Sequence, residues 1–83
     1  MKIEVRLFAY FREGRDKKLF LEFNEPVTAG DVIKQINIDI KEVAILLING
    51  RDGKPDVQLC DNDVLSLFPP VGGGWRWIDI VYI

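Results

Sequence analysis

The chain opens on a strict alternation. Ile3, Val5 and Leu7 are apolar, and Lys2, Glu4 and Arg6 between them are charged. That period of two predicts a strand with one buried face. The strand is placed over residues 2–9, with Phe8, Tyr10 and Phe11 adding aromatics to its second face. Residues 12–18 are charged around Gly14 and read as a solvated hairpin loop. Leu19, Leu21 and Phe23 alternate again and predict a second strand.

The period then changes. Thr28 is placed to cap a helix, with Asp31 in its favourable first turn, and Val32, Ile33 and Ile36 share one helical face. The helix stops near Asn37, where a β-branched alternation, Ile38-Asp39-Ile40, begins. Residues 43–48 are nearly continuous apolar sequence, as expected of a strand covered on both faces. Asn49-Gly50 is a strong turn signal, and residues 51–57, with Gly53 and Pro55, leave room for at most a very short strand. Asp61-Asn62-Asp63 is a second tight turn. Residues 64–68 form the last strand, ended by Pro69-Pro70, neither of which can donate to a ladder.

The order strand, strand, helix, strand, short strand, strand is α+β. It suggests a β-grasp: a mixed sheet of four to five strands with one main helix. In that arrangement the last strand inserts centrally, beside and parallel to the first. Residues 1–74 are read as the folded domain with a glycine-rich tail, and residues 75–83 as an apolar extension.

Composition narrows the chemistry. A chain of 83 residues is one domain with a small core and no room for a deep pocket of its own. A net charge of −2 gives electrostatics no hold on nucleic acid or an anionic membrane. No segment approaches the roughly 20 apolar residues of a membrane span. Histidine is absent, which removes the commonest general base and metal ligand. One cysteine makes no internal disulfide, and the start of the chain lacks the apolar run of a signal peptide, so the expected compartment is the cytoplasm.

The informative stretch is Leu59-Cys60-Asp61-Asn62-Asp63-Val64-Leu65-Ser66-Leu67-Phe68-Pro69-Pro70-Val71-Gly72-Gly73-Gly74. It is a turn, a buried strand, a stiff exit and then three residues without side chains. Prolines direct the emerging tail and lower its entropy, and glycines keep it thin and pliable. Such a tail can enter a channel too narrow for any side chain, and if it ended in a free carboxylate it could present that group to another protein's active site.

Here the sequence resembles the ubiquitin-like sulfur carriers of the MoaD/ThiS group. That group includes the small subunit of molybdopterin synthase and the sulfur carrier of thiamin biosynthesis. The resemblance spans residues 1–74. It rests on Val5-Arg6-Leu7-Phe8-Ala9, Ile48-Asn49-Gly50-Arg51, Leu59 with Asp61-Asn62-Asp63, and above all Phe68-Pro69-Pro70-Val71-Gly72-Gly73-Gly74. The Phe-Pro-Pro-Val exit looks more like the molybdopterin branch. The resemblance implies that an E1-like activating enzyme adenylates the terminal glycine carboxylate, using its own ATP and magnesium. A sulfur donor then forms a thiocarboxylate, which the large subunit of a synthase uses on a pterin precursor. On this reading Gly74 carries the reactive group, and Gly73 and Gly72 let it reach through the channel. The chain itself binds no cofactor or metal and acts only with its partners. Phe8, Tyr10 and Phe11 are candidates for the partner surface or for core packing, and Phe68, Pro69, Pro70 and Val71 for the partner surface around the exit.

The departure from the family pattern is the continuation past the glycines. As written, Gly74 has its carbonyl in a peptide bond to Trp75, and a peptide carbonyl cannot be adenylated. Three accounts follow. A processing protease cuts between Gly74 and Trp75. Residues 75–83, which are strand-like in composition, add to a sheet edge or pair with a second copy. Or they are a docking peptide for a partner. Seven apolar side chains in those nine residues make an exposed tail in a soluble monomer unfavourable.

Other candidates carry less. Cys60 has no histidine to activate it and reads as a surface thiol. Asp61 and Asp63 are too few ligands for a calcium loop and read as turn formers. Gly72-Gly73-Gly74 lacks the lysine and helix of a phosphate loop. Arg51 and Lys54 read as solvated loop charges, with rim contacts to an acidic partner as the rival. The functions compatible with the sequence are a sulfur carrier for molybdopterin synthesis, a carrier for thiamin or another metabolite, a ubiquitin-like modifier joined through Gly74 to lysines, and an interaction module with a permanent tail.

Overall fold

The structure is a computed structural model that describes residues 1–70. The division drawn at Gly74 lies outside the described residues. The opening alternation forms β1 (Lys2–Leu7), whose Ile3, Val5 and Leu7 are buried. β1 pairs antiparallel with β2 (Lys18–Glu22), with Val5 opposite Leu19. After the helix α1 (Ala29–Gln35) come β3 (Ile45–Ile48), the two-residue β4 (Arg51–Asp52) and β5 (Val64–Phe68). The sheet order is β2-β1-β5-β3-β4. β5 runs parallel to β1, with Val5 opposite Leu65, and antiparallel to β3, with Leu46 opposite Leu67. This is the β-grasp arrangement predicted: the last strand lies at the centre of a five-stranded mixed sheet.

Local chemistry explains the element ends. Thr28 Oγ1 accepts from the Asp31 N–H at 3.1 Å, and the Asp31 carboxylate accepts from the Thr28 N–H at 3.0 Å. This reciprocal box satisfies two donors that a helix start would otherwise leave unpaired. Asn37, at φ 61°, ends the helix in the left-handed region that asparagine tolerates. Asn49 and Gly50, at φ 53° and 80°, make the tight turn between β3 and β4.

Three boundaries differ from the sequence reading. β1 stops at Leu7 rather than at residue 9, because Ala9 turns to φ 54° and a 3-10 turn, Ala9–Arg12, follows. The Ile38-Asp39-Ile40 alternation leads into a second 3-10 turn, Ile40–Glu42, with Ile38 in the core. β3 is correspondingly short, and the described elements cover only one of its faces. Leu46 faces the core, while Ile45 and Leu47 are half-buried on the other side.

The core lies between the sheet and α1. Ile3, Val5, Leu7, Leu65 and Leu67 of the sheet meet Ala29, Val32 and Ile33 of the helix, with Phe11, Ile38 and Leu59 closing the sides. Removing these side chains from water supplies most of the drive to fold. Gly53 has a packing reason: a Cβ there would lie 2.7 Å from Ile48 Cδ1 and 2.9 Å from Leu46 Cδ2.

Candidate functional site

The site is built around the exit of β5. Leu65 and Leu67 point into the core and fix the strand, while Val64, Ser66 and Phe68 alternate onto the opposite face. Phe68 is 6% exposed, and its carbonyl accepts from the Ala44 N–H at 2.8 Å. Pro69 is buried and Pro70 is exposed, so the chain surfaces at Pro70. The last buried residues thus hold the exit in a fixed place, and Pro70 lies outside the sheet ladder.

Phe8 stacks on Phe68, with ring centroids 4.2 Å apart and planes 12° from parallel. The Arg12 guanidinium carbon lies 5.2 Å from the Phe8 ring centroid, on the cation–π side of the pair. Arg12 is held there by its Nε, which donates to the Leu7 carbonyl at 2.7 Å. The 3-10 turn Ala9–Arg12 therefore delivers two side chains, Phe8 before it and Arg12 at its end, to the rim of the exit. Its other aromatics divide. Tyr10 is 42% exposed, while Phe11, 2% exposed, belongs to the core.

The predicted site residues therefore separate. Of the two roles open for the first three aromatics, Phe11 takes core packing. Phe8 and Tyr10 keep exposed surface. Phe68 and Pro69, expected on the partner surface, are buried; they set the position and direction of the exit. Pro70 is exposed beside them. Val71, Gly72, Gly73, Gly74 and Trp75 lie outside the described residues. Three residues that the sequence reading did not single out join the site. Ile45 and Leu47 of β3 and Val64 of β5 are half-buried on the same outer face as Phe68, and none of them packs on the core. The period-two rule applied to residues 45–48 carries that signal, but a run of four apolar residues hides it.

At the far end of β5 the two aspartates are engaged in the turn. Asp63 accepts from the Cys60 N–H at 2.7 Å and from Asn49 Nδ2 at 2.9 Å. Asn49 Oδ1 accepts from the Val64 N–H at 2.9 Å, and Asp61 accepts from the Lys2 N–H at 2.7 Å. These bonds tie the start of β5 to β1 and to the β3–β4 turn. Cys60 is exposed. On β1, Arg6 and Glu4 form an ion pair on the outer face. Arg51 and Lys54 are exposed.

The geometry is that of a central strand whose chain surfaces at Pro70, with aromatic and aliphatic residues on the face beside it. Residues 5–74 match the ThiS family, from the middle of β1 to the last of the three glycines. The chain belongs to the ThiS family. Its fold and its family make it a ubiquitin-like protein of the sulfur-carrier and small-modifier type. It is 32% identical to small archaeal modifier protein 3 of Haloferax volcanii, in an alignment covering 89% of this chain and all of that protein. The ThiS-family fold is shared with a putative molybdopterin converting factor subunit 1 from Pyrococcus furiosus, at TM-score 0.66 and 31% identity, covering 86% of this chain and 99% of that one. It is shared too with a chain of the complex between subunits 1 and 2 of the molybdopterin-converting factor from Helicobacter pylori. That match has a TM-score of 0.59 and 26% identity, and covers 89% of this chain and all of that one.

Proposed function

We propose that this protein is a sulfur carrier for molybdopterin-type cofactor synthesis, made as a precursor and activated at Gly74 once residues 75–83 are removed. Hydrolysis of the Gly74–Trp75 peptide bond by a protease frees the glycine carboxylate. The carboxylate attacks the α-phosphorus of ATP on an E1-like activating enzyme, and pyrophosphate leaves. A sulfur nucleophile then displaces AMP at the acyl carbon and leaves a thiocarboxylate. The tail next enters the large subunit of a synthase, where the sulfur passes to a pterin precursor. ATP and magnesium belong to the activating enzyme.

The observation that carries this reading is the exit of β5. Phe68 and Pro69 are buried, Pro70 surfaces, and the tail that follows has three glycines in succession. Two further facts support it. The match to the ThiS family runs up to Gly74 and no further. The Helicobacter pylori chain it resembles was solved in a complex of subunits 1 and 2, and on this reading the outer face around Phe8 and Ile45 would receive a large subunit.

A second reading is conjugation of Gly74 to lysines of other proteins, favoured by the 32% identity to a small archaeal modifier. Both readings share the activation step and differ in product. The test is pyrophosphate release from ATP and magnesium by the E1-like enzyme of the same cell. A chain ending at Gly74 is expected to support release and the full chain is not. Equal release by both would contradict the requirement for a free Gly74 carboxylate.

A further inference from the structure

The sheet has two faces, and the described residues cover one of them. α1 packs on the side of Val5 and Leu65. On the other side Phe8, Ile45, Leu47 and Val64 form a half-buried, mostly apolar strip around Ser66 that continues into Phe68, and no described helix or strand lies across it. The chain leaves the sheet after Phe68, at the edge of this strip, and surfaces two residues later at Pro70.

We infer that residues 75–83 of the same chain dock on this strip. Three facts converge on that occupant. The tether is short and attached at the right place. Residues 71–74 span at most about 14 Å when extended, while neighbouring strands lie about 4.8 Å apart. Residue 75 therefore reaches the outer faces of β5 and β3 without crossing the molecule. The tether includes Gly72, Gly73 and Gly74, so reversing direction meets little steric resistance. Finally, the segment and the strip match in chemistry: seven of the nine tail side chains are apolar, including Trp75 and Trp77. A short flexible linker holds such a segment at an effective concentration in the millimolar range. A second copy of the chain reaches that concentration only when the solution is itself that concentrated.

The consequence rests on the carrier reading above, but the docking itself does not. While residues 75–83 remain attached, the Gly74 carboxylate is blocked and the face that would receive a synthase subunit is occupied. One hydrolytic cut at Gly74 releases both.

The chain carries its own reporter, because its two tryptophans are Trp75 and Trp77. The experiment is tryptophan emission and acrylamide quenching of the full chain. Docking is expected to give blue-shifted emission and several-fold weaker quenching than the same chain in denaturant. Leu47→Glu, with unchanged far-UV circular dichroism, is expected to return emission and quenching to the denatured values. Leu47→Ser, a smaller insult, supplies the same comparison should the glutamate variant fail to fold. Ile40→Glu, at a residue 40% exposed and outside this face, is expected to leave the signal unchanged. Water-like emission from the unaltered chain overturns the inference. So does a blue shift that persists in a folded Leu47 variant, or one that vanishes on dilution, which would assign the strip to a second copy. Failure of sulfur loading at Gly74 with these optical results intact would overturn the carrier reading and leave the docking in place.

Discussion

Phe8 and Phe68 lie face to face, 4.2 Å between ring centroids, and so connect the end of β1 to the last residue of β5 before the chain exits. The two rings come from strands that run parallel side by side, so the stack extends their pairing one residue beyond the hydrogen-bonded ladder. Stacked aromatic pairs contribute about 0.5–1.5 kcal/mol beyond the area they bury. Phe8→Ala is expected to lower stability by about 2 kcal/mol, allowing for that pair and part of a phenyl side chain's burial. Urea unfolding checks this, through a lower midpoint at an unchanged slope. Phe8→Leu is expected to recover the burial but not the stack.

Asn49 joins two separable effects. Its backbone sits at φ 53°, and its side chain accepts from the Val64 N–H and donates to Asp63. Asn49→Gly keeps the conformation and loses the bonds, at an expected cost of about 1 kcal/mol. Asn49→Ala loses both and adds the left-handed penalty, for a total of about 2–3 kcal/mol. A ranking with alanine equal to glycine in denaturant unfolding would remove the conformational half of this account.

The Thr28–Asp31 box is the start signal of the only α-helix among the described residues. Thr28→Ala is expected to cost about 1 kcal/mol, and Thr28→Ser little. Native-state hydrogen exchange is the suitable measurement. Amides of α1 should lose protection in the alanine variant, while those of β1 and β5 change only as far as global stability does.

Much of this fold can be read in the sequence because the local signals agree with one another. Ile3, Val5 and Leu7 specify β1, Thr28 and Asp31 start the helix, and Asn49-Gly50 and Asn62 place the turns. The central position of β5, parallel to β1, follows from the order of elements, and the structure has it there. What was hidden depends on tertiary contacts. The left-handed turn at Ala9 is unusual for a residue with a Cβ, so nothing in the sequence ends β1 at Leu7. That turn decides which aromatic goes where. It sends Phe11 into the core and leaves Phe8 against Phe68, a division that composition cannot give. The outer strip is similarly obscured, because Ile45 and Leu47 sit beside Leu46 and Ile48 in one apolar run.

The central claim is that Gly74 becomes the reactive terminus of this protein. The most direct measurement is the intact mass of the protein isolated from its native cell. The account predicts a species lacking residues 75–83. It also predicts a second form of that species heavier by about 16 mass units, from exchange of one carboxylate oxygen for sulfur in the thiocarboxylate. A protein that retains residues 75–83 in every molecule, with no truncated or sulfur-bearing form, would contradict it.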